Sequence, residues 1–157
     1  MRTKASGESS LLLLDAVEVL RAEKVDYAVI GALAASVHGL VRASLDADDS
    51  ISAVLALYDE FENRVDLLVG IRGFDPSAFS RTIEVPFAGE TLRFVGLEDF
   101  IAMKIFAGSP QDVADARNAL EVSSEPPDLA LLQTLVKRYG ITTARSLESL
   151  LSEVRKD

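Results

Sequence analysis

The stretch VDYAVIGALAASVHGLVRASLDAD, from Val25 to Asp48, organises the reading of the whole chain. Val25 to Ile30 is rich in branched and aromatic residues, which favour a pleated, half-buried strand. Gly31 ends that strand. Ala32 to His38 is an Ala-rich run that predicts a short helix, and Gly39 is a fitting stop after it. Val41 to Asp49 is expected to be extended. In a strand, positions i and i+2 point the same way, so Asp46 and Asp48 would share a face. Two carboxylates on one face repel and need a counter-charge. A divalent cation supplies it, and hard oxygen ligands suit Mg²⁺. A solvated acidic loop from Asp46 to Ser50 is the plain alternative, and both readings stay open at this point.

Downstream, Ile51 to Tyr58 and Arg64 to Ile71 read as two strands around a polar turn, Asp59 to Asn63, which predicts a hairpin. Asp66 lies inside the apolar run Val65, Leu67, Leu68, Val69. An acid there either sits on an exposed edge or joins the first two carboxylates around a metal. Three carboxylates around two metals can hold an attacking hydroxyl and a leaving phosphate in line. Pro76 opens a helical turn through Phe79. Thr82 to Phe87 and Thr91 to Val95 flank Ala88-Gly89-Glu90, a second expected hairpin.

From Gly96 the pattern turns helical. Helices are expected over Glu98 to Ala107, Pro110 to about Val122, Asp128 to Tyr139, and Thr142 or Thr143 to about Arg155. Pro110 is tolerated because the first N–H groups of a helix lack helical partners. Upstream, residues 1–8 are polar and expected to fray. Ser9 or Ser10 is a candidate cap for a helix ending near Lys24, with Leu13, Val17 and Leu20 at helical spacing and Leu14 beside them. The expected fold is α/β (α+β). A mixed β-sheet over residues 1–96 is followed by helices over residues 97–157, in one domain.

Composition narrows the function. The 157 residues suit one domain, and 48% apolar with 26% charged excludes a disordered chain. Aromatics are 6% and Trp is absent, which argues against a base-stacking platform. The net charge of −9 disfavours a broad phosphate-tracking surface, so duplex DNA is not an expected partner. Cys is absent, which excludes disulfides, thiolate catalysis and cysteine-ligated zinc. The single His excludes any site needing two imidazoles. The apolar run Leu11 to Leu14 is far short of the roughly 20 residues a bilayer span needs. Charges at Glu18 and Arg21 read as a helix and not a signal peptide, so no membrane partner is expected and the cytoplasm is the default compartment.

The order of these motifs resembles the nucleotidyltransferase superfamily related to DNA polymerase β. Its signature is a hydrophobic residue, then Gly and Gly or Ser, a spacer, then Asp-hydrophobic-Asp or Glu. Ile30-Gly31-Ala32 and Asp46-Ala47-Asp48 stand in that order, thirteen residues apart. The stretches Gly31 to Gly39, Val41 to Ser44, Leu97 to Gly108 and Gln111 to Arg117 look like the branch of minimal and toxin–antitoxin nucleotidyltransferases. The resemblance covers roughly residues 25–120. It implies that NTP phosphates approach the backbone at Gly31 and Ala32, where exposed N–H groups and the helix dipole favour anions. It implies Mg²⁺ ligation by Asp46 and Asp48, with Asp66 deprotonating or orienting an acceptor hydroxyl. It implies that Lys104 meets the triphosphate, and that Arg42 and Ser44 contact phosphate or pair with Asp46. The acceptor would be a tRNA end, a protein side chain or a small molecule, with a toxin or antitoxin as a further partner.

Three departures qualify the match. Ala32 replaces the second Gly or Ser. Asp49 stands where a hydrophobic residue should continue the strand. Seventeen residues separate Asp48 from Asp66, where relatives usually place another helix and strand. A shortened chain of this kind is compatible with an active enzyme and with a binding module that has lost catalysis. Plainer roles stand beside the functional ones. His38 would be a satisfied core or surface residue. Lys104 would pack its stem and reach out with its ammonium. Asp112 and Asp115 would be partners of Arg or Lys. Arg64, Arg72, Arg81 and Arg93 would line a substrate groove or form a solvated sheet face.

Overall fold

The computed structural model describes residues 1–39, 51–123 and 125–154. These fall into two compact units, one of residues 1–27 and 51–72, the other of residues 28–39 and 73–154. Together they are α+β, with six helices and two antiparallel strand pairs among the described residues. No helix among them is long and apolar enough to cross a membrane.

The first unit is a helix, α1 (Ser9–Ala22), with a hairpin of β1 (Ile51–Tyr58) and β2 (Arg64–Ile71). The register pairs Ala56 with Asp66 and Tyr58 with Arg64, so Arg64 and Asp66 share a face. The expected hairpin is therefore present, turn included. The turn is held by the Asp59 carboxylate, which accepts the amides of Phe61 and Asn63, both at 2.9 Å.

Three expectations for the start of the chain need correction. Neither Ser9 nor Ser10 caps α1; its N-cap is Glu8, and the Ser9 hydroxyl accepts the Arg64 amide instead. The helix ends at Ala22, close to the expected end near Lys24, but its buried side is centred on Leu14 and Val17, while Leu13 and Leu20 are only half-buried. Residues 1–8 do not fray. The Asp15 carboxylate takes both the backbone amide and the guanidinium of Arg2, at 2.8 and 2.7 Å. Glu8 accepts the amides of Lys4 and Ala5.

Asn63, 2% exposed, closes the same arrangement. Its amide donates to the Ala5 carbonyl at 2.7 Å and to Asp59 at 2.8 Å, and its oxygen accepts the Glu8 amide at 2.7 Å. Leu has the branched outline of Asn but is larger and offers no polar atom. Asn63→Leu is therefore expected to cost about 2 kcal/mol, because it strands buried polar groups. The amide of Glu8 should also lose hydrogen-exchange protection. Unchanged protection there would show that Asn63 does not hold the segment.

In the second unit, β3 (Ile83–Phe87) and β4 (Glu90–Phe94) form the second expected hairpin. Its turn is Ala88-Gly89, both at positive φ, +48° and +85°. That is the handedness favoured in two-residue hairpins. The strand expected over Val25 to Ile30 shrinks to one parallel bridge. Val29 donates to the Arg93 carbonyl at 2.8 Å and accepts the Val95 amide at 3.1 Å, opposite Phe94. The unit thus mixes antiparallel and parallel pairing on β4.

Four helices follow: α3 (Leu97–Ala107), α4 (Pro110–Val122), α5 (Leu129–Tyr139) and α6 (Ile141–Val154). The short α2 (Gly31–Val37) precedes the hairpin in sequence, and a short 3-10 helix, Pro76–Ser80, leads into β3. Asp128 caps α5 by accepting the amides of Ala130 and Leu131, and Gly108 ends α3 in the left-handed conformation. Phe94, Leu92, Ile101, Leu132, Val136 and Leu147 are almost wholly buried and form the core. Helix α3 packs against α4, α5 and α6 and is the central helix of this unit. Gly96, at its N-cap, lies so close to the chain that a Cβ would stand 2.7 Å from the Arg81 carbonyl oxygen.

Candidate functional site

The extended backbone at Val29 and Ile30 runs beside the end of β4 and turns abruptly at Gly31. Gly31 has φ +74°, where a side chain would be strained, and among the described residues nothing lies within 4 Å of where a Cβ would be. The backbone there is open to approach. Ala32 is half-buried, while Ala34 and Ala35 behind it are buried and hold α2 down.

At the other end of α2, His38 is tied to the following elements. Its Nε2 lies 3.0 Å from the Val95 carbonyl oxygen. A carbonyl only accepts, so Nε2 carries the proton in that bond. Its ring packs on Phe100 of α3 with centroids 4.9 Å apart. Burial, against the opposing pull of the Val95 hydrogen bond, holds its pKa below the usual 6.5.

Lys104 lies one turn further along α3, with its ammonium 5.9 Å from the centre of the Phe100 ring. It is also engaged by two carboxylates from α4, Asp112 at 2.6 Å and Asp115 at 3.0 Å. The Ser109 hydroxyl accepts the Asp112 amide and donates to its carboxylate, while Gln111 donates to Asp115. Burial disfavours the Lys104 charge, but the hydrogen bonds to Asp112 and Asp115 outweigh it, and its pKa is raised. The plain reading of Asp112 and Asp115 as partners of a basic residue is what the structure shows. Sequence reasoning gave no role to Ser109 or to Gln111. A Ser before Pro at a helix start was the available signal for the first.

Asp66 belongs to the first unit. It is half-buried, and one of its carboxylate oxygens accepts Arg64 Nε at 2.8 Å. Arg42, Ser44, Asp46 and Asp48 lie outside the described residues, as does the extended segment expected over Val41 to Asp49. Among the described residues no three acids or histidines stand together to hold a metal ion. Of the arginine set, Arg64 and Arg72 belong to the first unit and Arg81 and Arg93 to the second. Arg81 is held by Asp75 and Asp99, Arg93 by Thr82 and the Phe79 carbonyl, and Arg64 by Asp66.

The α+β fold, the open glycine turn ahead of a short helix, and the Asp-Ala-Asp sequence beyond it are features of the nucleotidyltransferase superfamily. The chain belongs to a particular family within that class. Residues 10–155 match the family described as "Nucleotidyltransferase of unknown function (DUF6036)". No curated protein matches the chain.

Proposed function

We propose that the protein transfers a nucleotidyl group from an NTP to a hydroxyl acceptor with Mg²⁺. The observation that carries this reading is the open, left-handed turn at Gly31 in a chain of this family. The backbone of Gly31 and Ala32 would approach the phosphates, with Arg42, Ser44 and Lys104 contributing positive charge or hydrogen bonds. Asp46, Asp48 and Asp66 would hold the metal. The proposed ligands are all carboxylates, oxygen donors of the hard type that Mg²⁺ prefers. Bound there, Mg²⁺ would neutralise charge on the reacting phosphate. Asp66 takes the acceptor's proton. The acceptor oxygen bonds to the α-phosphorus as the bond to pyrophosphate breaks, and pyrophosphate leaves. The rate would then rest on positioning and charge. The acceptor class is a tRNA end, a protein side chain or a small molecule, and a toxin–antitoxin pair in the cytoplasm is the setting that suits the family branch.

The engagement of Lys104 by two carboxylates favours a second reading, a member that has lost catalysis and serves as a partner subunit. The short spacing from Asp48 to Asp66 points the same way. Thermal melts with ATP, GTP, CTP and UTP, with and without Mg²⁺, separate the two. Binding at about 100 times Kd stabilises the fold by about 2.7 kcal/mol, or roughly 5–10 °C for a domain of this size. The enzyme reading expects that shift with at least one NTP, only with Mg²⁺, and its loss in Asp46→Ala. No shift with any NTP rejects the enzyme reading.

A further inference from the structure

We propose that His38 is a positioning residue that holds the Gly31 turn in place and ties it to the helix carrying Lys104. The inference rests on the nucleotide-binding reading of that turn. Its physical basis is a closed ring of contacts centred on Val95. The Val95 amide donates to the Val29 carbonyl at 3.1 Å, just before the turn. The Val95 carbonyl accepts His38 Nε2 at 3.0 Å, just after α2. Both ends of the segment from Val29 to His38 are therefore fastened to one residue of the β4–α3 junction.

Helix α2 has only seven residues, too few to hold its own shape without tertiary contacts. Ala34 and Ala35 supply apolar burial but no direction. The His38 hydrogen bond supplies direction, and a hydrogen bond fixes geometry more sharply than apolar contact does. The ring extends the link onward. Phe100 touches His38 on α2 and lies within reach of the Lys104 ammonium on its own helix. A change at His38 therefore reaches both proposed phosphate contacts without touching the nucleotide.

Two variants divide the donor from the ring. His38→Gln keeps an N–H at about the reach of Nε2 and loses the ring. His38→Phe keeps the ring contact and loses the donor. The probe is Mg²⁺ with ATP, GTP, CTP and UTP in turn, with Kd read by calorimetry on the whole chain and folding checked by circular dichroism. His38→Phe is expected to weaken NTP binding about tenfold, the effect of one well-placed hydrogen bond. His38→Gln is expected to stay within about threefold of the parent. If His38→Phe does not fold, His38→Asn takes its place, since its amide is one carbon too short to reach Val95 and it should also bind weakly. Rescue by Gln is the readout that a merely structural histidine would not give. Equal binding in all variants, or equal loss in Gln and Phe, overturns the clasp and leaves the proposed function standing. No NTP binding by the parent chain overturns the proposed function and the clasp with it.

Discussion

Arg81→Leu is expected to lower the stability of the second unit by about 3–5 kcal/mol, the usual consequence of leaving a buried charge without its partner. Arg81 meets Asp99 with two prongs, Nε to Oδ2 and Nη2 to Oδ1, each at 2.8 Å. A planar guanidinium fits a carboxylate in this way and Lys cannot copy it. Nη2 also reaches Asp75 at 3.1 Å. The Asp99 side chain is only 4% exposed, so water cannot take the place of the guanidinium. The Asp99 hydrogen bonds lead the causes that raise the Arg81 pKa, which keeps it charged throughout the accessible range.

The consequence is not confined to one ion pair. Asp99 lies in the first turn of α3, and Gly96, at the cap of that helix, rests against the Arg81 carbonyl. The pair therefore fixes the entry to β3 against the central helix. The double variant Arg81→Leu with Asp99→Leu should recover much of the loss, because no charge is then stranded. Urea denaturation of the two single variants and the double variant gives the coupling directly. A loss below about 1 kcal/mol for Arg81→Leu would mean that water replaces the guanidinium at the Asp99 carboxylate.

Local signals carried much of the fold. Both hairpins were legible because alternating apolar runs flanked short polar or glycine turns. The helix stops at Gly108 and Gly140 and the cap at Asp128 were legible because they need only one residue type at one place. The errors fall where a distant partner decides. Val25 to Ile30 has the composition of a strand, yet among the described residues its one strand pairing is Val29 with Phe94 of β4. Ser9 had the right chemistry for a cap, but the Arg64 amide, 55 residues away, claims its hydroxyl. The first eight residues looked loose because their anchors, Asp15 and Asn63, lie outside them.

The site divides in the same way. The order Gly31, Asp46, Asp48, Asp66 was legible as a family pattern. The Lys104 pairing was half legible, since Asp112 and Asp115 lie just beyond a Gly-Ser-Pro turn. A satisfied histidine at His38 was legible, but its partner was not, being a backbone carbonyl 57 residues on.

Lys104→Met should give stability a pH dependence in mild acid that this cluster does not give the parent chain. In the parent chain burial opposes the charges of Lys104 and Asp112. Their mutual hydrogen bond outweighs it, together with the hydrogen bonds from Lys104 to Asp115 and from Ser109 to Asp112. The Asp112 pKa is lowered from 3.8, so its stabilising share is complete above pH 3.8 and is lost only as pH falls through its lower folded value. The Lys104 pKa is raised from 10.5, so its share is complete below pH 10.5 and is lost as pH rises through the folded value. Between those limits the ion cluster gives the parent chain a flat response.

Met fills much of the Lys104 volume but leaves Asp112 and Asp115 side by side without the Lys104 ammonium. Like charges cannot both stay ionised cheaply, so one carboxyl should titrate well above its usual value. Near pH 7 the variant is expected to lose about 3–4 kcal/mol. It should then regain stability as pH falls towards 5, because the proton replaces the missing cation. Denaturation midpoints for both chains at several pH values test this, and parallel curves would show that Lys104 is not the counter-ion of the two acids. The same series carries the functional test. At the pH where the variant is most stable, its fold is intact and only the ammonium is gone. An NTP shift that survives there removes Lys104 from the phosphate site. A shift that disappears while the fold holds gives Lys104 both roles, counter-ion in the free chain and phosphate ligand in the complex.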